Sequence, residues 1–257
     1  MAGLPSSHSK RFAWLVMGPV VLLLLVIVAG LVAILRPRSF LGAGSGRLES
    51  GSSVVGLAGS SQPSAGGGIE VLDARLFKDQ HAAGALTFVA ELRNTTQWPL
   101  GRPEAKVTLY DASRAEVGSA QCTSVLRVLA AGERIPCAAM FSDVKSYKTF
   151  QVEPSVATAA DSRPAVVSVS DVEYRSPTQE IEPHSVSGRI TNTGAVRARS
   201  VWAIVALYDH EDKIAGVGSG PVAGSDLDPG TSATFKVSLY SVAAPVARYV
   251  VTPVGYE

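Results

Sequence analysis

The sequence predicts an all-β protein built from two tandem immunoglobulin- or fibronectin-like β-sandwiches, preceded by one N-terminal transmembrane α-helix. Three observations lead there. An uncharged apolar run occupies residues 12–35, the chain after it repeats with one constant offset, and both copies alternate in polarity as strands do.

The elements follow in chain order. Residues 1–11 form a short tail carrying Lys10 and Arg11. Phe12–Leu35 contains no charge. Read as a helix it spans about 36 Å, enough to cross a hydrocarbon core of about 30 Å. Pro19 marks a kink that membrane helices tolerate. The rival reading is a cleaved signal peptide with Lys10 and Arg11 as its charged region and a small-residue site at Ile27–Ala29 or Val28–Gly30. The apolar run continues to Leu35, beyond the roughly 7–15 residues of a signal-peptide core, which favours the retained anchor. Lys10 and Arg11 on one side face Arg36, Arg38 and Arg47 on the other, so flanking charge assigns no orientation.

Residues 36–68 read as a flexible linker, because Ser39–Gly68 is dominated by Gly and Ser and shows no hydrophobic period. A second break, the expected hinge, falls at 159–164, Ala-Ala-Asp-Ser-Arg-Pro. These breaks bound two copies, 69–158 and 165–257. The first carries ten basic and ten acidic residues; the part from 159 onward carries eight and eleven. Neither folded half is basic, which excludes nucleic acid as the partner.

A shift of 98 residues superimposes the copies. Val71 and Asp73 fall on Val169 and Asp171, Asn94-Thr95 on Asn192-Thr193, and Leu129 and Gly132 on Leu227 and Gly230. Val107, Leu109, Tyr110 and Asp111 fall on Val205, Leu207, Tyr208 and Asp209. Leu86–Leu92 and Ala105–Tyr110 alternate as half-buried strands do, whereas Val201–Tyr208 is apolar throughout, as expected of a central strand covered on both sides. Pro229 followed by Gly230 suits a type II turn, since proline presets φ and glycine accepts a positive one. About seven strands in each copy imply a sandwich.

Val107-Thr-Leu-Tyr-Asp111 and Val205-Ala-Leu-Tyr-Asp209, each preceded by Asn-Thr and followed by Leu-x-x-Gly, resemble the FxLYD domain family. Leu227-Asp-Pro-Gly230 with Phe235 matches its Leu-x-Pro-Gly turn and following aromatic, and Val107 and Val205 stand where the family name has Phe. The resemblance covers both copies and implies small extracytoplasmic bacterial β-sandwiches with no catalytic residue to carry over. In the shared motif the leucine is expected to pack inward, the tyrosine to cover a sheet edge, and the aspartate to accept turn N–H groups.

No constellation for chemistry stands out. Glu180, Glu182 and His184 alternate but lack a further positioned ligand. His210-Glu211-Asp212 with Asp226 and Asp228 lacks the spacing of a calcium loop. Gly216-Val-Gly-Ser-Gly220 is read as lying between strands, with no helix after it to receive a phosphate. We therefore expect no catalytic, cofactor-binding or metal-binding residue. Cys122 and Cys137, the only cysteines, flank the Leu129–Gly132 turn, and antiparallel strands leaving it would bring them within disulfide reach. The offset maps them onto Gly220 and Phe235, so Phe235 is expected to point inward. Such a bond needs an oxidising compartment.

The expected protein is thus a non-catalytic interaction or scaffold module. It is held in the cytoplasmic (inner) membrane by its contact with the lipid bilayer through residues 12–35, with both sandwiches on the extracytoplasmic side. Trp98 and Trp202 are candidate contacts for an envelope protein partner. The alternatives are a secreted or periplasmic ligand- or metal-binding protein released by signal cleavage, and an accessory subunit of an envelope assembly.

Overall fold

A computed structural model describes residues 68–156, 162–179 and 181–257. The expected tail, membrane-crossing run and linker up to residue 67, and the hinge residues up to 161, lie outside them. The described residues contain strands and turns, and no helix. Among them, therefore, no helix is long and apolar enough to cross a membrane.

The first copy holds β1 (Ile69–Lys78), β2 (Leu86–Asn94), β3 (Leu100–Gly101), β4 (Pro103–Tyr110), β5 (Glu116–Thr123), β6 (Val128–Leu129), β7 (Arg134–Phe141) and β8 (Thr149–Val156). The second holds β9 (Val167–Arg175), β10 (His184–Asn192), β11 (Arg199–Tyr208), β12 (Ile214–Pro221), β13 (Ser232–Leu239) and β14 (Arg248–Tyr256). Antiparallel layers β1-β2-β7 and β5-β4-β8 build the first copy and meet at a single bridge, Thr123 to Ala138. Layers β9-β10-β13 and β12-β11-β14 build the second in the same order. The short pair β3–β6, joined at Leu100 and Leu129, recurs as the bridge Ala198 to Leu227, 98 residues on.

The offset holds at the level of backbone conformation. Asp73 and Asp171 both have positive φ (51° and 53°), each at a bulge in the first strand of its copy. Arg114 and Asp212 (68° and 62°) and Gly132 and Gly230 (75° and 73°) match in the same way. The Gly230 turn closes with Thr231 N–H donating to the Asp228 carbonyl (3.0 Å), the geometry that Pro229-Gly230 favours.

Alternation fills one core per copy. Phe88, Leu92, Val107, Leu109, Ile135 and Val152 are buried in the first; Val186, Ile190, Val205, Leu207, Phe235 and Val237 are buried in the second. Asn94 and Asn192, fully buried, peg the two halves of each sandwich. Asn94 Nδ2 donates to the carbonyls of Trp98 (2.8 Å) and Leu129 (3.0 Å), and Asn192 Nδ2 to those of Val196 (2.8 Å) and Leu227 (2.9 Å).

Cys122 and Cys137 are bonded, with Cα atoms 5.4 Å apart. Cys122 on β5 and Cys137 on β7 lie beside the antiparallel bridge Thr123 to Ala138, on either side of β6 and the Leu129–Gly132 turn, as the spacing suggested. Cys122 also pairs with Ala105 of β4 and Cys137 with Ala90 of β2, so the bond ties together the two halves of the sheet. In the second copy the Phe235 ring points inward and is buried. It fills the space above Gly188, where an added Cβ would meet Cε1 and Cζ at 2.9 Å. The Gly216–Gly220 run lies on β12 rather than between strands. Gly218 and Gly220 face β13, and a Cβ at Gly218 would come within 2.9 Å of Val237.

The two copies lie in one unit, Ser53–Glu257. Near the chain's entry at Gly68, the Arg127 N–H of the first copy donates to the Tyr256 hydroxyl of the second (2.5 Å). At the distal end, the Ser241 hydroxyl donates to Asp79 and the His81 and Tyr240 rings meet edge-on at 5.8 Å. The copies therefore stand side by side and point the same way. The described end of the expected hinge is tied down, with Ala165 N–H donating to the Gly255 carbonyl and Pro164 bridging Tyr256.

Candidate functional site

Every residue of the repeated motif has a counterpart, but the two motifs have different surroundings. Val107, Leu109, Val205 and Leu207 are fully buried in the cores. Each aspartate caps its hairpin. Asp111 Oδ1 accepts the N–H groups of Ser113 (2.8 Å) and Ala115 (2.9 Å), and Asp209 Oδ1 those of Glu211 (2.9 Å) and Lys213 (3.0 Å). Tyr110 is half-buried on the first copy. Tyr208 is buried against the neighbouring copy.

That contact comes from β11. Its even residues Trp202, Ile204, Ala206 and Tyr208 face away from their own core and pack on the outer face of β2 and β7. Val89, Ala138 and Phe77 lie opposite Ala206, Tyr208 and Ile214. Trp202 is half-buried there, so the surface it meets belongs to its own chain. Trp98 remains 62% exposed.

A polar seam borders this apolar contact. The Tyr208 hydroxyl donates to Glu91 Oε1 (2.5 Å), and the Arg248 guanidinium lies 3.7 Å from the centre of the Tyr208 ring. Burial pushes the Tyr208 hydroxyl well above the ordinary phenol range, and the Glu91 carboxylate adds to it. Arg75 Nη2 donates to Asp209 Oδ2 (2.7 Å), and Ile214 N–H donates to Asp73. Burial raises Asp73, and its one N–H donor and Arg75 only partly offset this. Asp209 is also desolvated, but the Lys213 and Glu211 N–H groups and Arg75 outweigh that and hold its carboxyl below the usual range. The Asp73 bulge thus works as a clamp. Its counterpart Asp171 stays at the surface beside Arg189 (3.6 Å).

At the distal end the copies part into a cleft of about 440 Å³. Ala138 and Val217 lie along it, with Met140 (61% exposed) and Tyr240 (54% exposed) standing on its walls. Asp79 anchors one side. Its carboxylate accepts from Thr87 and Ser241 and from the N–H groups of His81 and Ala82, which together overcome burial and lower its pKa.

The weaker candidates do not assemble. Glu182 accepts from Thr178 N–H (2.9 Å) and Oγ1 (2.7 Å), while His184 Nδ1 pairs with the Tyr174 hydroxyl (2.7 Å); Glu180 lies outside the described residues. His210–Asp212 sits in the distal β11–β12 turn, whereas Asp226 and Asp228 lie at the entry end. No group of three or more His, Cys, Asp or Glu among the described residues could hold a metal ion.

Met140, Tyr240 and the clamp residue Arg75 escaped the sequence reading, and Asp73 entered it only as a repeat match. A usable signal was present. At the 98-residue offset, the outer positions Glu104, Lys106 and Thr108 of β4 become Trp202, Ile204 and Ala206 of β11. A polar face turned apolar in one copy marks an interface.

No family model matches the sequence, and no curated protein does. Among solved structures, red sea bream transglutaminase aligns over 71% of this chain at 10% identity with a TM-score of 0.24. The chain spans 29% of that protein, and the likeness is too slight to carry an argument.

Proposed function

We propose that this chain is a non-catalytic, membrane-anchored binding module. Two FxLYD-like sandwiches of immunoglobulin or fibronectin type act together as one arm on the extracytoplasmic side of a bacterial cytoplasmic membrane. The observation that carries the reading is the two-sided burial of β11. It fixes the copies side by side and so holds the distal cleft open between Met140 and Tyr240. Apolar walls beside a satisfied carboxylate suit a segment of a protein partner better than a reacting small molecule, because Asp79 has no spare basicity to offer.

The Cys122–Cys137 bond supports an oxidising compartment. The uncharged run 12–35 supports anchoring, and the Gly/Ser-rich composition of 39–68 gives a random-coil reach of roughly 30 Å. Trp98 and the cleft are the surfaces left for partners, since Trp202 is used internally. The test is the intact mass of the protein from native membranes, together with a photo-crosslinker placed at Met140 and, as control, at Gln151 on the polar β8 face. Anchoring requires that the protein retain residues 12–35. Loss of about 30 N-terminal residues would favour the released, ligand-binding alternative, because the cut would fall at the small residues a signal peptidase uses. A crosslinked partner from Gln151 and none from Met140 would refute the cleft.

A further inference from the structure

Large exposed apolar side chains gather at the two ends of the described arm. Met140, Tyr240, Ile181, Tyr249, Val250 and Val117 lie toward the distal end, and Trp98, Val166 and Val196 at the entry end. Trp98 and Val196 are equivalent residues at the tips of equivalent loops, each held by its buried asparagine. Gly68, where the chain arrives from the N-terminal segment, lies in the same layer, its carbonyl accepting the Thr95 N–H at 2.9 Å. Val166 occupies the corresponding place in the second copy and accepts the Thr193 N–H at 3.0 Å.

The charges at this end add a second observation. Arg102, Arg127 and Arg199 are exposed and form no ion pair among the described residues, whereas Arg163 and Arg197 are paired with Glu257, Asp226 and Asp228. Arg102 and Arg127 border a small polar cavity of about 160 Å³ that Ser124 and the Glu104 carboxylate also line. The opposite end is mixed in charge, with Asp79, Asp111, Asp143 and Asp212 set among Lys78, Arg114, Lys148 and Arg248.

We propose that the entry end rests on an anionic bilayer. Trp98, Val166 and Val196 enter the headgroup layer, and the Arg102–Arg127 cavity receives a lipid phosphate. Tryptophan prefers that layer because its ring is apolar and its indole N–H finds a polar acceptor there. Arginine matches phosphate with a fork of donors. Three side chains and the unengaged guanidinium groups of Arg102 and Arg199 bind weakly on their own, while Arg127 already lies 4.8 Å from the Tyr256 ring centre and donates to Ser200 Oγ at 3.4 Å. A tether of roughly 30 Å makes the encounter intramolecular, at an effective concentration in the millimolar range, so weak contacts suffice. The inference rests on the anchored reading. It adds that the arm stands upright with its cleft away from the membrane.

The test uses the full chain in vesicles of phosphatidylcholine with and without phosphatidylglycerol, with bromine-labelled lipids quenching tryptophan at known depths. The chain's tryptophans are Trp14, Trp98 and Trp202. The Trp14→Phe protein is expected to keep a component quenched by shallow bromines in phosphatidylglycerol vesicles, which Trp98→Phe then removes. Omitting phosphatidylglycerol, or combining Arg102→Gln with Arg199→Gln, is expected to reduce that component severalfold. If the wild type is quenched but the Trp14→Phe protein is not, anchoring stands and this inference falls. If the wild type is not quenched at all, the anchored reading falls and takes this one with it. Quenching of Trp98 that is indifferent to phosphatidylglycerol overturns the anionic surface.

Discussion

Replacing Asn192 by alanine tests the peg on which the second sandwich depends. The side chain is fully buried. It donates to the Val196 and Leu227 carbonyls and accepts the Gly194 N–H at 3.0 Å. Alanine removes one of the two donors to the Leu227 carbonyl, which keeps the Ala198 N–H at 2.9 Å, so that loss costs about 0.5–1.5 kcal/mol. The other two groups lie in the loop, where water can replace the lost partner, and add about 1 kcal/mol together. The expected loss is about 1.5–2.5 kcal/mol, or a fall in Tm of about 3–10 °C for a unit of this size. Differential scanning calorimetry of the full chain measures it. Asn94→Ala should cost a similar amount, because Asn94 makes the same two donations and accepts the Thr96 N–H at 2.8 Å. Asn192→Asp should be worse at neutral pH, where a carboxylate faces two carbonyls, and should improve on acidification. A loss below about 0.5 kcal/mol at either site would refute the reasoning, since it would mean that the carbonyls find other donors.

Three further outcomes follow from the same geometry. Thiol labelling of the unreduced, denatured protein from native membranes should find no free cysteine, and reduction should destabilise the first copy by about 3 kcal/mol, given the 15-residue separation. Gly188→Ala should cost about 1–3 kcal/mol by forcing Phe235 off its seat, and Phe235→Leu in the same chain should recover part of it, read from denaturant midpoints. Burial holds the His184 pKa below its ordinary value of 6.5. The unfolded chain therefore takes up a proton that the folded chain refuses, and stability should fall as pH drops through and below that value. A His184→Phe variant should lose this part of the pH dependence in chemical denaturation at successive pH values.

Much of the all-β fold was legible because strand alternation and turn chemistry are local. The 98-residue offset could be read directly, and Phe235 could be turned inward by asking what replaces a disulfide in the copy that lacks one. The placing of Gly216–Gly220 outside the strands was a misreading, because it took glycines for a turn signal. The close approach of β13 to Gly218 and Gly220 of β12 is a contact between layers, which a local pattern does not encode. The distal cleft was illegible for a similar reason. Met140 and Tyr240 meet only because two sandwiches stand abreast.

Those sandwiches are copies, so what keeps the stack at two needs a physical cause. The contact joins unlike faces: β2 and β7 of the first copy receive β11, β12 and β14 of the second. Such a head-to-tail contact could in principle repeat indefinitely. It cannot do so here, because each copy has kept only one of the two surfaces. On the first, the face equivalent to that of β11 shows Glu104 and Lys106, with Gln121, Gln151 and Glu153 on the strands beside it. On the second, the face equivalent to that of β2 and β7 shows Ser185, Ser187 and Arg189, with Thr234, Lys236 and Ser238 alongside. A further copy would have to bury these groups without partners, at about 1–3 kcal/mol for each one left unsatisfied. The divergence that made Tyr208 and Asp209 an internal clasp, while leaving Tyr110 and Asp111 at the surface, also closes both ends of the stack. The two narrow ends of the arm are left as the surfaces on which large apolar side chains meet the outside.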